Sequence, residues 1–342
     1  MLDDLKLIHE RDPDDTLGIA ERQWQQLKQD FEVSIDGSGI ENVVYAGMGG
    51  SAIGALISAS WPGYKIPFEL VRGYDIPAYV SAKTLFICCS YSGNTEEALS
   101  ALEQADSKGA KIAIIASAGK LVEIAKEKGY PLVVVPSAEQ PRYSVLSMFK
   151  ALVAILVSAG LVDGASAFRD IDKASEFLSQ QVKKWQATVP TSDNQAKLIA
   201  VEAAGKSVVI YAGPKLIPAA YKWKIGFNEN AKQIAWWNQY SEFNHNEFIG
   251  WTEQPSIKPY LVVDLRSNLE HPRIQKRFEL SAKLLSGKRP EPVVIEVQGE
   301  TLIEQIVYAS CLGDFTSLYT AILSGVSPAP VDLVERLKKE LD

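Results

Sequence analysis

Histidine, cysteine and methionine each occur three times in 342 residues, and this scarcity removes several classes of function. His9, His245 and His271 lie far apart in the chain; Cys88 and Cys89 are adjacent in an apolar run, and Cys311 is remote from both. Adjacent residues of a strand point to opposite faces, so the cysteine pair is no clamp for a metal, and no transition-metal centre is expected. The cysteines read as reduced packing residues of a cytoplasmic protein. Basic charge is also short. Lys+Arg number 35 against 42 Asp+Glu, a net charge of −7, which disfavours nucleic acid and anionic membranes as partners. No apolar run approaches the roughly 18 residues of a spanning helix. Residues 1–15 are charged and lack the apolar core of a secretory signal. What remains is a chain long enough for two domains, with the apolar (46%) and charged (23%) fractions of a soluble globular protein.

The pattern along the chain is an alternation of strands and helices. Residues 13–32 read as one helix, with Leu17, Ile19, Ala20, Trp24 and Leu27 at helical spacing. Strands are predicted at 42–46, 68–71, 84–89, 111–116 and 131–135, with helices at 52–60, 96–108, 121–128 and 144–159, several closed by glycine. Continuous apolar strands alternating with helices indicate a parallel sheet covered on both faces. The second half repeats the plan: 207–213 echoes 42–47, 260–265 echoes 84–89, 292–297 echoes 131–135, and the helix at 315–323 echoes the one stopped by Gly160. Matching segments lie about 165 residues apart, so a duplicated α/β domain is expected, with a polar, helical seam between Gly160 and Thr191.

The two copies differ where ligands bind in open α/β sheets, beyond the carboxyl ends of the strands. The first half carries Gly47-Met48-Gly49-Gly50-Ser51 after its first strand and Ser90-Tyr91-Ser92-Gly93-Asn94-Thr95 after its third. The second half has Pro214-Lys215 and Arg266-Ser267-Asn268 at the matching places. Glycines let the backbone approach a ligand, and the hydroxyls of Ser51, Ser90, Ser92 and Thr95 with helix-start amides can bind a phosphate without lysine. The competing reading is that each hydroxyl caps a helix. A dinucleotide fingerprint is not met, because Ala52 occupies its last glycine position and no acid follows the second strand near Val71. The Gly-Lys-Ser/Thr of a Walker loop is missing as well.

With these loops, the chain resembles sugar isomerase (SIS) domains. Over nearly its whole length it is similar to the bifunctional phosphoglucose/phosphomannose isomerases, a branch of the phosphoglucose isomerase superfamily. The resemblance is carried by 47–51, 90–95, Pro141-Arg142, Phe227-Asn228-Glu229-Asn230-Ala231-Lys232, Asn244-His245-Asn246-Glu247 with Gly250-Trp251, and a final helix with Lys338. It implies two tandem flavodoxin-like SIS domains: 1–160 with the phosphate loops (Gly49, Gly50, Ser51, Ser90, Ser92, Thr95), a helical connector at 161–190, and 191–342, whose terminal helix crosses back to the first domain. It implies a homodimer without cofactor or metal, acting on a sugar phosphate.

In such an enzyme a carboxylate takes the C2 proton of the open-chain sugar and returns it to C1 through a cis-enediolate, so one base serves both steps. The resemblance gives that role to Glu229. Taken by itself Glu229 reads rather as a solvated helix end, although its asparagine neighbours and nearby Trp223, Phe227, Trp236 and Trp237 hint at a partly buried polar site. His245 stands in an asparagine-rich loop; an imidazole suits the proton transfers of ring opening, and the resemblance brings it from the neighbouring subunit. Lys338 borders the apolar stripe Val331, Val334, Leu337 and Leu341 of the last helix. By itself it snorkels to water; the resemblance makes it a partner of His245. Arg142 stands at a helix start, a poor place for a cation, and is suited to stabilise enediolate oxygens. Val331 departs from the small hydroxyl residue carried there by dual-specificity members, which makes glucose 6-phosphate the firmer substrate. The alternatives are a non-catalytic SIS sensor of phosphosugars, or an enzyme acting on amino or keto sugar phosphates.

Overall fold

The computed structural model describes residues 1–138, 140–253 and 259–341, and its chain divides into two compact units. One is Gln23–Glu176, here the serine-loop unit; the other joins Met1–Arg22 to Phe177–Asp342 and is called the C-terminal unit. The chain begins with α1 (Leu5–Arg11) and α2 (Thr16–Arg22), followed by a 3-10 turn at Gln23–Lys28. The single helix expected over 13–32 is therefore not formed. Asp4 caps α1 by accepting from the amides of Lys6 and Leu7, and Asp12 accepts from Thr16 and Leu17 to start a new helix.

Within the serine-loop unit, β1 (Asn42–Ala46), α3 (Gly49–Ser60), β2 (Phe68–Val71), β3 (Thr84–Ser90), α4 (Glu96–Ser107), β4 (Lys111–Ala116), α5 (Lys120–Lys128), β5 (Leu132–Val134) and α6 (Val145–Ser158) follow in order. The sheet is wholly parallel, in the order β2-β1-β3-β4-β5. Its faces are covered separately. Val43, Tyr45, Leu85, Ile87 and Cys89 pack with α6 residues such as Met148 and Leu152, while Val44, Phe86, Cys88 and Ile114 pack with Ala98, Leu102 and Ala125 of α4 and α5. Cys88 and Cys89 thus enter opposite cores as unpaired thiols, and burial pushes Cys89 up to about 12. α7 (Gly164–Gln181) carries the chain out of this unit.

The C-terminal unit contains α8 (Gln195–Ala203), β6 (Ser207–Ala212), α9 (Ile217–Glu229), β7 (Ala235–Gln239), α10 (Glu247–Gly250), β8 (Tyr260–Arg266), α11 (Pro272–Leu284), β9 (Val293–Glu296), α12 (Leu302–Ser324) and α13 (Asp332–Leu341). Its parallel sheet runs β7-β6-β8-β9. The architecture is the expected α/β one in each unit, with three differences. The strand β7 was not foreseen. Next, β9 pairs directly with β8, as β4 pairs with β3, so the second sheet has one strand fewer and its last strand does not take the outer position of β5. Finally, α12 reaches thirteen residues further toward its start than expected, because Thr301 and Glu304 form a reciprocal capping box. It is long and apolar enough to cross a membrane, yet it lies buried in this unit, in contact with α8 and α9.

The division also departs from domain boundaries at 160 and 191, since the first 22 residues belong with the second half. Charged side chains hold them there. The buried Lys197 ammonium donates to the carbonyls of Leu2, Ala187 and Val189, and Arg11 donates to the Ile322 carbonyl at 2.6 Å.

Candidate functional site

In the serine-loop unit, Ala46 of β1 is in register with Val71 of β2 and with Cys88 of β3, so the segments leaving these three strands share one end of the sheet. Four predicted hydroxyl positions come together there. The Ser90 and Thr95 hydroxyls are 2.7 Å apart, Ser92 Oγ is 3.5 Å from Ser90 Oγ, and Ser51 Oγ accepts from the Tyr91 amide at 3.2 Å. Thr95 is the N-cap residue of α4, but its side chain makes no cap bond. Neither does Met48, the N-cap residue of α3. Capping therefore does not account for Thr95. The two helix starts differ electrostatically. The first turn of α4 carries Glu96 and Glu97, whereas α3 has no acid there, so the Gly49-Gly50-Ser51 end is the one whose dipole favours an anion.

Glycine is required at two points of this loop system. Gly93 has φ +71, and a Cβ there would meet the Ala118 carbonyl oxygen at 1.8 Å; at Gly50 it would stand 3.1 Å from the backbone of Pro141 and Arg142. The second contact joins the start of α3 to the 3-10 turn carrying Arg142. Arg142 is no surface residue. It is 3% exposed, its guanidinium lies 4.7 Å from the Tyr143 ring centre, and Nη2 is 3.5 Å from the Tyr143 hydroxyl.

The stretch after β2 went unnoticed in the sequence. An open surface depression of about 390 Å³ lies there, lined by residues that include Glu69, Arg72, Gly73, Tyr74 and Asp75. Tyr74 donates to Glu96 at 2.9 Å, and its carbonyl accepts from Ser100 and Gln104, which ties this rim to the helix that begins after Thr95. The only signal was positional: β2 ends level with β1.

In the C-terminal unit, Glu229 is the last residue of α9 and is half-buried. The residues around it fix the backbone. Asn230 donates to Ser317 Oγ at 2.9 Å, and Asn228 donates to the Gln233 carbonyl at 2.8 Å. Lys232, at φ +53, sends its ammonium to the carbonyls of Glu229 (2.8 Å), Ser327 (2.7 Å) and Pro328 (3.0 Å), joining the end of α9 to the segment that leads into α13. The asparagines beside Glu229 are thus framework groups, with their amides turned to protein acceptors.

His245 ends a 3-10 turn, Glu242–His245, and is exposed. Its neighbours are tied down on both sides. Asn244 donates to Ser281 Oγ at 2.9 Å and accepts from Arg277 at 3.1 Å. Glu247 accepts from the Tyr211 hydroxyl and from Asn238 Nδ2, the latter at 2.7 Å, and Tyr211 Oη in turn accepts from Trp251 Nε1 at 2.9 Å. Burial, followed by the Glu247 charge, raises the Tyr211 hydroxyl well above its ordinary range, so it stays a donor. A rigid mount thus presents an exposed imidazole. Lys338 lies on α13, an exposed helix, and pairs with Glu335 at 2.7 Å. The apolar stripe beside it is exposed too, with Val334 at 47% and Leu337 at 59%.

Comparison with known proteins adds to this picture. Residues 192–341 match the model of the bacterial phospho-glucose isomerase C-terminal SIS domain. A bifunctional phosphoglucose/phosphomannose isomerase of Caldicellulosiruptor bescii is 34% identical over 322 residues, 92% of this chain and 94% of the relative. A D-glucosamine-6-phosphate 4-epimerase of Sulfolobus acidocaldarius is 33% identical over 236 residues, 68% of this chain and 72% of that one. Among solved structures, a glucose-6-phosphate isomerase like protein from Thermus thermophilus shares the fold with a TM-score of 0.66 at 18% identity, covering 99% of this chain and 98% of its own.

Proposed function

The chain belongs to the bifunctional phosphoglucose/phosphomannose isomerase family, and we propose that it interconverts glucose 6-phosphate, and with it mannose 6-phosphate, with fructose 6-phosphate. The observation that carries this reading is the hydroxyl cluster of Ser51, Ser90, Ser92 and Thr95 beside the acid-free start of α3, in which the Thr95 side chain leaves its helix uncapped. Such a cluster suits a phosphate dianion. Gly49 and Gly50 would offer backbone amides to the same group.

In the proposed reaction His245 and Lys338 open the ring by moving a proton between the ring oxygen and the C1 hydroxyl. Glu229 then removes the C2 proton and delivers it to C1, the O2 hydroxyl proton passes to O1 as the carbonyl shifts from C1 to C2, and Arg142 stabilises the enediolate oxygens between the two steps. The burial of Arg142 supports its part, because a guanidinium held away from water acts more strongly on developing charge. The fixed backbone around Glu229 supports a base whose position does not wander. We further propose a homodimer in which His245 serves the partner's substrate. Ile249, four residues beyond it and 71% exposed, and Trp236 on the edge strand β7, 51% exposed, supply apolar surface suited to such a contact. The three buried, unbridged cysteines fit a cytoplasmic setting.

The test is a coupled assay of the wild type and Glu229→Gln on glucose 6-phosphate and mannose 6-phosphate. The expected result is turnover by the wild type and a loss of about 10²- to 10⁴-fold in kcat for the variant, with substrate binding retained. Equal rates would remove Glu229 from the reaction, and binding without turnover in the wild type would identify a sensor. The epimerase relative supports a second reading, action on an amino sugar phosphate, which analysis of the products formed from glucosamine 6-phosphate distinguishes.

A further inference from the structure

Tyr91 stands between two of the clustered serines, Ser90 and Ser92, yet its hydroxyl is turned to another segment of the serine-loop unit. Its amide donates to Ser51 Oγ at 3.2 Å, near the start of α3, and its carbonyl accepts from the Ser117 amide at 2.9 Å, just past β4. The half-buried ring packs on the core that holds Val135 and Met148. The phenol oxygen accepts from the Ala138 amide and donates to the Ala138 carbonyl, the latter at 2.7 Å. One side-chain oxygen thus fixes the backbone on both sides of Ala138, in the stretch that follows β5.

That stretch leads directly to Arg142, four positions on. Pro136 and Ser137 are exposed and Ala138 is half-buried, whereas Arg142 is 3% exposed. The turn Pro141–Tyr143 is met on another side by the start of α3, where a Cβ at Gly50 would stand 3.1 Å from the backbone of Pro141 and Arg142. Both loops of the candidate site therefore bear on the backbone that carries Arg142, one through Gly50 and the other through Tyr91 Oη. The ring of Tyr91 serves the core and does not need the hydroxyl for it. On a segment this exposed, water can take over the two bonds to Ala138, so the hydroxyl contributes direction more than stability.

We propose that Tyr91 is a positioning residue for the isomerisation: its hydroxyl sets the backbone of 136–142 so that the Arg142 guanidinium is aimed at the enediolate while Ser90, Ser92 and Thr95 hold the phosphate. This role rests on the isomerase reading and on the part of Arg142 in it. A guanidinium held in one direction stabilises developing charge without having to reorganise at the moment of reaction. A shift of about 1 Å in such a group can cost on the order of 100-fold in rate. The loss falls on kcat, because the enediolate charge exists only between the two proton transfers, whereas the phosphate charge is present throughout.

Tyr91→Phe keeps the ring and removes the hydroxyl alone. The test is steady-state kinetics on glucose 6-phosphate for the full-length wild type, Tyr91→Phe, Arg142→Gln and the double variant, with a thermal melt of each. In Tyr91→Phe, kcat is expected to fall about tenfold or more, with KM within about twofold and Tm within a few degrees of the wild type. Arg142→Gln is expected to lose about 100-fold or more in kcat. Adding Tyr91→Phe to Arg142→Gln is expected to lower kcat by less than about twofold further, because a residue that acts through Arg142 then has nothing left to aim. Losses that multiply in the double variant overturn the proposal, since they mark a brace of the loop at large. A raised KM at unchanged kcat overturns it as well, and assigns Tyr91 to the phosphate grip. Should Arg142→Gln fail to fold, Arg142→Lys, a cation of different reach, takes its place in the cycle. A slow Arg142 variant beside an unaltered Tyr91→Phe would end this role and leave the isomerase reading standing, whereas an inactive wild type would end both.

Discussion

Replacing Thr95 by valine separates the ligand role of the hydroxyl cluster from a structural one. The side chain keeps nearly the same size and loses only its hydroxyl, which bonds Ser90 Oγ at 2.7 Å and makes no cap bond to α4. Ser90 retains the Gly93 amide as a donor at 3.1 Å and the Ser92 hydroxyl at 3.5 Å. The folded state therefore loses one neutral hydrogen bond, about 1 kcal/mol, or about 2–4 °C in Tm for a unit of this size. A hydrogen bond to a charged phosphate is worth about 1.5–3 kcal/mol, so substrate binding weakens by roughly 10- to 100-fold. Steady-state kinetics on glucose 6-phosphate should show KM raised by that factor with kcat little changed, because the phosphate is held alike in ground and transition states. A thermal melt on the same preparation supplies the stability change. A KM within about twofold of the wild type, alongside the expected drop in Tm, would refute the reasoning: the hydroxyls would then only brace the loop.

Further outcomes follow from the same structure. Gly93→Ala introduces a Cβ 1.8 Å from the Ala118 carbonyl at φ +71, so a loss of about 3 kcal/mol or more is expected in denaturant unfolding, together with loss of sugar-phosphate binding. Lys232→Ala releases the carbonyls of Glu229, Ser327 and Pro328. It should lower kcat more than it raises KM, whereas a purely structural role would lower Tm with kcat intact. Burial holds the Asp264 carboxyl at about 6, above its ordinary 3.8, despite the opposing pull of Arg289 and Arg266. Between these values the folded protein keeps a proton that the unfolded chain gives up, so this group's contribution falls as pH rises from about 4 to 6, by about 3 kcal/mol in all. Denaturant midpoints across that range should show this slope in the wild type and not in Asp264→Asn; identical slopes would count against it.

The hydroxyl cluster of the candidate site was legible because its loops are local. Glycines at 49, 50 and 93 and hydroxyls at 51, 90, 92 and 95 sit directly after apolar runs, and the register of β1 with β3 brings those loops to one end of the sheet. Arg142 drew attention as a cation at a helix start, but nothing in the sequence showed that it would be buried over Tyr143. The asparagines flanking Glu229 suggested a polar pocket, whereas they are turned to Ser317 and Gln233, partners that only the folded chain supplies. β7 was passed over because Ala235–Gln239 has no alternation and ends in polar residues, while its pairing with β6 overrides that weak propensity.

Sequence alone determined the α/β class, the duplicated plan and the place of the glycine- and serine-rich loops, because strand period, helix stops and glycine positions act over a few residues. It could not determine the division of the chain. Met1–Arg22 joins the C-terminal half only because Lys197 and Arg11 reach backbone carbonyls far away in sequence. The same holds for the buried ion pair of Asp264 and Arg289, 25 positions apart. Long-range contacts decide which side chains leave water together, and no local pattern records that.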